Sequence, residues 1–178
     1  ADIRAALSAP QEGATGPDGP VYPGTCRDAA HTDPDAALRI DMRKAVARLD
    51  APLTFGETDN PGGPSGPVTI PPVQLIEGVG DVILARKDIG TSYHLAVVVD
   101  DAEQGVTHVT RGQDLFEATA IHVLLQRLLG LPTPVYRHHR LIRDAAGKRL
   151  AKRDDARAIR TFRENGASPA DIRRLAGL

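Results

Sequence analysis

The sequence predicts an α/β domain that contains a parallel sheet. Between residues 93 and 164 the chain shows the order strand, long helix, strand, loop and helix, which is typical of such a sheet. The 178 residues are 41% hydrophobic, enough to bury one ordinary core. Earlier segments rich in β-branched residues and punctuated by glycine supply further strand candidates.

The first third of the chain alternates loops with short apolar segments. Residues 1–9 carry a helical pattern, and the proline and glycine of "PQEGATGPDGP" exclude regular structure over 10–20. The segment 35–42, "DAALRIDM", fits either a helix or a strand. We predict strands within "LTFGET" (53–58) and "VQLIEGVGDVILARKD" (73–88), joined across a flexible loop with the sequence "DNPGGPSGP".

The second half is more regular. Residues 93–99 are too uniformly apolar to separate a buried helix from a buried strand. "VTHVTRG" predicts a strand that ends at Gly112, and a helix follows from Asp114, its candidate N-cap, to a C-cap at Gly130. Further predicted elements are a strand at 134–142, a helix over about 155–164, and a last helix with Ser168 as N-cap, Pro169 at its first position and Asp171 at its third.

Composition excludes several classes of protein. The single cysteine, Cys26, rules out an internal disulfide framework, and no apolar run is long enough for a membrane span or a signal peptide. We therefore expect a cytoplasmic protein without a membrane partner.

The net charge of -1 hides a local basic block. Residues 1–136 hold 10 Lys/Arg against 18 Asp/Glu, whereas residues 137–160 hold 9 against 3. Such a block can bind a polyanion through its phosphates, or it can simply be a solvated surface.

Three motifs, taken in order, resemble a known family. These are "YHLAVVVDDAEQGVTHVTRGQDL", "LPTPVYRHH" and "GKRLAK", with "YPGTCR" at 22–27 as a separate short match. Together they resemble the C-terminal part of the catalytic domain of the glutamyl-queuosine tRNA(Asp) synthetase and glutamyl-tRNA synthetase family, class I enzymes with a Rossmann-like nucleotide-binding domain. The similarity is strongest over 79–164. It implies a remnant of a zinc region with an α+β insertion over 1–78, the second half of the catalytic domain over 79–146, and a signature loop with C-terminal helices over 147–178.

The resemblance implies that Tyr93 and Arg111 contact the glutamate substrate. A guanidinium can bind a carboxylate through two hydrogen bonds, and a phenol adds a directed donor. The alternatives are a core tyrosine and an arginine that pairs with Asp100, Asp101 or Asp114.

The resemblance also implies an ATP site. The family's second signature loop is here written Arg149, Leu150, Ala151 and Lys152, with Lys152 as the cation that meets the phosphates and Mg²⁺ accompanying ATP. His138 matches a family position near the nucleotide, whereas His94 and His122 are expected to pack or to form hydrogen bonds. Because His138 and His139 are adjacent on a predicted strand, their side chains should point to opposite faces.

Tyr22 and Cys26 match the last two ligands of a zinc site in the family. The other two ligands would lie upstream, so zinc is expected only in an intact parent protein, and Cys26 is otherwise a free thiol.

The family's first ATP motif, His-x-Gly-His, does not occur in these 178 residues. From the resemblance we expect a missing N-terminal segment or self-association through an exposed sheet edge, and little activity from this chain alone. Only 26 residues follow Lys152, which favours the shorter relatives. The implied function is ATP-dependent ligation of glutamate to the queuosine base of tRNA(Asp), with the acceptor or anticodon region of the tRNA as partner. The alternatives are a fragment of a glutamyl-tRNA synthetase and a non-catalytic RNA-binding fragment.

Overall fold

The computed structural model describes residues 15–28, 36–88, 90–143, 147 and 158–177. The chain divides into two compact units, Ala1–His139 and Arg140–Leu178. The division into three segments expected from the sequence stays a prediction.

The first unit contains most of the secondary structure. In chain order its elements are β1 (Thr15–Gly16), β2 (Gly19–Pro20), β3 (Leu38–Arg39), α1 (Met42–Ala47), β4 (Leu53–Glu57), β5 (Gly66–Ile70), a π-helix (Gln74–Val79), β6 (Ile83–Ala85), α2 (Tyr93–Glu103), β7 (His108–Gly112), a 3-10 turn (Gln113–Leu115), α3 (Thr119–Leu129) and β8 (Val135–His139). The short strands pair antiparallel, β1 with β2 and β3 with β6.

A four-stranded mixed sheet with the order β5-β4-β8-β7 forms the centre of this unit. Strands β7 and β8 are parallel, as the sequence predicts, and β4 is also parallel to β8 at the pair Glu57 and Tyr136. Strand β5, which the sequence did not predict, runs antiparallel to β4. Three strand ends, from β4, β7 and β8, therefore lie close together.

Helix α3 supplies much of the core because almost every residue from Thr119 to Gln126 is buried. Ile121 and Leu124 are at most 1% exposed. On the sheet, the Phe55 ring packs edge-on against the Tyr136 ring with centroids 5.4 Å apart. Burial of such aromatic and aliphatic side chains provides the main stabilisation of the sheet against the helix.

The ambiguous apolar run after residue 92 is the helix α2. Ser92 caps it by accepting a hydrogen bond from the backbone N–H of Leu95. His94 and Val98, four residues apart, are the buried positions, as expected for one face of a helix. The described part of this segment, 36–42, combines β3 with the start of α1, and the Asp41 side chain caps α1 by accepting from the backbone N–H of Lys44.

The prediction of a strand across "VQLIEG" is wrong, because this segment forms the π-helix. Pro71 and Pro72 cannot donate to a strand ladder, so β5 ends at Ile70 and a helical turn begins. The backbone N–H of Gly80 then bonds to the carbonyl of Leu75, and both Leu75 and Val79 reach the core. The second half of the predicted strand is confirmed as β6.

Asp114 is not the N-cap of the long helix. Residues 113–115 form a 3-10 turn, and α3 begins at Thr119 after Ala118, without a side-chain cap. After this turn the Phe116 ring packs edge-on against the His138 ring, with the centroids 5.0 Å apart. The absence of regular structure predicted over 10–20 is also wrong in part, since β1 and β2 form a small hairpin.

Gly130 ends α3 in the left-handed conformation, with φ +67°, as the sequence predicts. No atom lies within 4 Å of a Cβ added there, so Gly130→Ala introduces backbone strain without a clash. We expect the change to lower the free energy of unfolding by about 1–2 kcal/mol, measured by urea denaturation. Gly78→Ala is the control, because Gly78 lacks a positive φ and its added Cβ meets only ordinary contact. An equal loss of stability in both variants would contradict the assignment of Gly130 as a C-cap that requires the left-handed conformation.

The second unit contains α4 (Ile159–Glu164) and α5 (Pro169–Ala176). The predicted start of the last helix is confirmed: Ser168 and Asp171 form a reciprocal capping box, and Pro169 occupies the first turn. The structure gives α4 from Ile159; residues 155–157 of its predicted range are outside the described part. None of the described helices is long and apolar enough to cross a membrane.

Candidate active site

Arg111 lies at the carboxyl end of β7, beside the end of the parallel strand β8. It is in register with His138, so both side chains share one face of the sheet. Helix α3 brings Thr119 and His122 to the same place. Ligands of open α/β sheets bind at such strand ends.

The guanidinium of Arg111 is held by three neutral acceptors. Its Nε donates to His138 Nε2 at 3.2 Å, its Nη1 donates to His122 Nδ1 at 3.2 Å, and its Nη2 donates to Thr119 Oγ1. The carbon of the guanidinium lies 5.2 Å from the centroid of the Tyr136 ring. Since a guanidinium has five N–H donors, one N–H on each terminal nitrogen has no acceptor among the described residues.

Behind Arg111, His138 is paired with a buried carboxylate. The side chains of His138 and Glu57 are both 0% exposed, and Nδ1 of the imidazole bonds to Glu57 Oε2. The other carboxylate oxygen, Oε1, accepts the backbone N–H groups of Asp59 and His138, each at 3.1 Å. Every oxygen of this buried carboxylate therefore has a partner, as a buried charge requires.

On its other side, Arg111 starts a chain of two histidines that ends at Asp18. His122 Nε2 lies 2.9 Å from His94 Nδ1, and His94 Nε2 lies 3.3 Å from Asp18 Oδ1. Arginine only donates, so Nδ1 of His122 must accept and its Nε2 must carry the proton. The same reasoning gives His94 a proton on Nε2, which it donates to the Asp18 carboxylate.

The groups that accept hydrogen bonds from Arg111 are uncharged, and the carboxylates of Asp101 and Glu57 only raise its pKa from a distance. Burial, the Arg111 charge and His94 lower the pKa of His122 to about 3, so His122 is uncharged at neutral pH. Burial also lowers the pKa of His138, against the opposing influence of Glu57. Within the described part of the chain, Arg111 forms no salt bridge with a carboxylate, and burial lowers its pKa without removing its charge.

Arg111 borders a cavity of about 630 Å³. Its lining includes Asp18, Arg86, Tyr93, His94, Arg111 and His122. Tyr93 is 64% exposed at the start of α2, and its ring lies 5.9 Å from that of His122. The alternative of a core tyrosine is wrong, and the two residues expected to bind glutamate line one cavity.

A sequence profile of the catalytic domain of class I tRNA synthetases (E and Q) matches residues 64–177. The chain belongs to this family. The match confirms the class I synthetase fold expected from the motifs.

Two curated relatives carry the name glutamyl-Q tRNA(Asp) synthetase. The chain is 62% identical over 178 residues to the protein from Rhodobacter capsulatus, covering 99% of this chain and 64% of the relative. It is 43% identical over 166 residues to the protein from Nocardia farcinica, covering 91% of this chain and 50% of the relative. The chain thus spans less than two thirds of these relatives.

Among solved structures, the chain is similar to a glutamate tRNA ligase from Elizabethkingia meningosepticum in complex with its amino acid. The TM-score is 0.49 and the identity 27%, with 74% of this chain and 22% of that chain covered.

His138, expected near ATP, is fully buried beneath Arg111. His139 is exposed, so the two histidines do point to opposite faces. A nucleotide cannot touch His138 in this structure, and the geometry supports a role in holding Arg111 instead. Residues 148–157, which include Arg149, Leu150, Ala151 and Lys152, lie outside the described residues, so the ATP loop stays a prediction.

The pair expected to bind zinc lies in one turn. The Tyr22 hydroxyl accepts the backbone N–H of Cys26 at 2.7 Å, and the Arg39 guanidinium lies 4.5 Å over the Tyr22 ring. The described residues contain no cluster of three or more His, Cys, Asp and Glu side chains that could hold a metal. Two ligands are too few for a tetrahedral zinc site, so a zinc site completed in an intact parent protein stays a prediction.

Sequence reasoning missed Glu57 and Thr119. A signal for Glu57 was present, because Leu53, Phe55 and Glu57 alternate along β4 and all three are buried. A carboxylate at a core-facing position of a strand implies a buried partner. Thr119 carried no such signal, since a threonine near a helix start is common.

Proposed function

We propose that the protein activates glutamate with ATP and Mg²⁺ and transfers the glutamyl group to the queuosine base of tRNA(Asp). The names of the relatives support the substrate pair, and the motif order supports the reaction class. Because the chain spans 64% of the first relative, the activity is proposed for the intact gene product that contains this chain.

The observation that carries the proposal is that uncharged acceptors hold the positively charged Arg111 at the border of the cavity. A cation borders the cavity with only neutral acceptors around it and one N–H on each terminal nitrogen without an acceptor among the described residues. Such a group stabilises a bound carboxylate through two charge-assisted hydrogen bonds. The exposed Tyr93 hydroxyl lies on the same cavity and supplies a further polar contact.

The chemistry decides which carboxylate Arg111 binds. During activation, an oxygen of the α-carboxylate attacks the α-phosphorus of ATP, the bond to pyrophosphate breaks, and glutamyl-adenylate forms. A clamp on the α-carboxylate would oppose this attack by stabilising its charge. We therefore assign the side-chain carboxylate to Arg111, which makes Arg111 a specificity residue.

Phosphate charge is assigned to the basic loop at 149–152. Lys152 and Arg149 would stabilise the charge that develops on the phosphates, together with Mg²⁺. In the second step a nucleophile of the queuosine base attacks the carbonyl carbon of glutamyl-adenylate, and AMP leaves. Neither step requires a protein general base at Arg111.

The other charges of the cavity also fit glutamate. Its lining includes the cations Arg86 and Arg111 and the carboxylate of Asp18. Asp18 can bind the ammonium group of glutamate and Arg111 its side-chain carboxylate, whereas Arg86 already pairs with Asp88, with Nε 3.8 Å from Oδ1. Electrostatic complementarity of this kind favours the correct ligand over neutral analogues.

Pyrophosphate exchange tests the proposal. We expect the intact gene product to exchange labelled pyrophosphate into ATP with glutamate and not with glutamine, because the amide removes the charge that Arg111 binds. Acid-stable binding of labelled glutamate to tRNA(Asp) that contains queuosine, compared with the same tRNA lacking it, then tests the acceptor. Equal exchange with glutamine would contradict the assignment of Arg111.

The same assay separates the enzyme from an RNA-binding fragment. A protein that only binds RNA through the 137–160 block would show affinity that falls steeply with salt and no exchange. Glutamate-dependent exchange would exclude that alternative.

A further inference from the structure

We propose that Glu57 is a positioning residue that orients Arg111 for its substrate by fixing the tautomer of His138. The inference rests on the proposed function, because it concerns how the glutamate-binding cation is held. Glu57 is fully buried and does not line the cavity that Arg111 borders, so its role is exerted through the imidazole.

The hydrogen bonds leave only one tautomer for His138. Arg111 donates from Nε to His138 Nε2, so this nitrogen must be unprotonated. The ring proton then lies on Nδ1, where Glu57 Oε2 accepts it. A protonated imidazole would place an N–H against the Arg111 N–H, and burial of the ring opposes that charge.

Glu57 selects this tautomer because a carboxylate can only accept. Its Oε1 is fixed by two backbone N–H groups, which holds Oε2 toward the imidazole. Without this acceptor, only the Arg111 Nε–H would favour the proton on Nδ1, and Thr119 Oγ1, 3.1 Å from Nε2, could accept a proton placed on Nε2. The direction of the hydrogen bonds, from Arg111 to His138 and from His138 to Glu57, therefore depends on the negative charge of the fully buried Glu57 side chain.

Glu57→Gln tests this order with almost no change in volume. The amide oxygen should remain on the two backbone N–H groups, which places the amide NH₂ against Nδ1 of His138. The imidazole must then carry its proton on Nε2, facing the Arg111 Nε–H, and Arg111 loses this acceptor. We expect the KM for glutamate to rise about 10- to 100-fold, while the KM for ATP changes less than about 3-fold.

Asp81→Asn is the matched control. Asp81 is also a buried carboxylate, 4% exposed, and accepts hydrogen bonds from Arg27 and from Met42 N, but it makes no contact with Arg111 or His138. We expect this change to lower the Tm and leave the KM for glutamate unchanged. A similar rise in the KM for glutamate in both variants would show a general loss of stability and overturn the inference.

Nitrogen-15 NMR of histidine-labelled protein provides a readout that does not depend on glutamate. We expect the His138 proton on Nδ1 in the wild type and on Nε2 in Glu57→Gln, with the signal assigned from a His138→Asn variant. A wild-type proton on Nε2 overturns the inference, even if Glu57→Gln fails to fold.

The failure of this inference differs from failure of the proposed function. If Arg111→Lys weakens glutamate use and Glu57→Gln does not, the positioning role is wrong and the proposed function stands. If Arg111→Lys itself leaves glutamate use unchanged, the assignment of glutamate to Arg111 and the positioning role are both wrong, whereas only the lack of glutamate-dependent exchange in the wild type would overturn the proposed function.

Discussion

Arg111→Lys should lower kcat/KM for glutamate about 100-fold, and Arg111→Ala about 1000-fold. A lysine keeps the charge but cannot offer the two parallel N–H donors of a guanidinium. Alanine also removes the charge; loss of one partner of a buried charge pair costs about 2–5 kcal/mol, and each 1.4 kcal/mol corresponds to tenfold in rate. Glutamate-dependent pyrophosphate exchange measures both values.

Arg127→Ala is the control for this prediction. Arg127 lies on the exposed side of α3, and its salt bridge to Asp50, at 3.4 Å, is a surface contact worth little. We expect the rate of pyrophosphate exchange to stay within about 2-fold of the wild type. A surface ion pair contributes at most about 1 kcal/mol to stability, and Arg127 does not line the cavity. If Arg111→Lys behaved like Arg127→Ala, a substrate contact for Arg111 would be excluded. The Tm of each variant separates loss of function from loss of fold.

The position of Arg111 could be predicted because it follows from local order. A strand that ends at Gly112 and a parallel neighbour place residue 111 at the ligand-binding edge of the sheet. Its assignment to glutamate came from the resemblance, since a single arginine is compatible with many partners. The exposure of Tyr93 could not be predicted, because a uniformly apolar run does not show which face of the helix its first residue occupies.

The pairings among the groups that hold Arg111 could not be predicted from the sequence. Glu57 and His138 are 81 residues apart, and the chain of His122, His94 and Asp18 joins three separate segments. Such pairs form only when tertiary packing brings strand ends and helix faces together. Local sequence patterns carry no information about which residues distant in the chain will come into contact.

Two elements were predicted wrongly, the strand at 73–79 and the start of the long helix, and each error has a physical cause. The β-branched and glycine-punctuated composition of 73–88 predicted a strand, but the two prolines before residue 73 and the buried Leu75 and Val79, four residues apart, favoured a helical turn. At Asp114, the residue type fitted an N-cap, but residues 113–115 form a 3-10 turn, Phe116 packs against His138, and the helix begins at Thr119. In both segments tertiary contacts outweighed intrinsic preference.

Acidification should destabilise the protein through His122. In the unfolded chain this histidine titrates near 6.5, whereas burial, Arg111 and His94 lower its pKa to about 3 in the folded state. Above pH 6.5 both states are neutral at this position, and the stability that His122 contributes is fully present. Between pH 6.5 and 3 only the unfolded state binds the proton, so the free energy of unfolding falls by about 1.4 kcal/mol per pH unit.

His122→Asn should remove this pH dependence. The asparagine oxygen can replace Nδ1 as an acceptor for Arg111, but the side chain does not titrate. Urea denaturation between pH 7.5 and 4 should therefore show a slope smaller by about one proton equivalent, or 1.4 kcal/mol per pH unit. The remaining slope includes His138, whose pKa is lowered in the same direction.

Val123→Ala separates this effect from ordinary loss of packing. Val123 is 2% exposed on the same helix and carries no titratable group, so its truncation should lower stability by about 1–3 kcal/mol at every pH without changing the slope. An unchanged slope in His122→Asn would mean that the folded protein accepts a proton at His122. In that event the imidazole could not accept a hydrogen bond from Arg111. The conclusion that uncharged groups hold Arg111 and leave it available for a carboxylate would then be wrong.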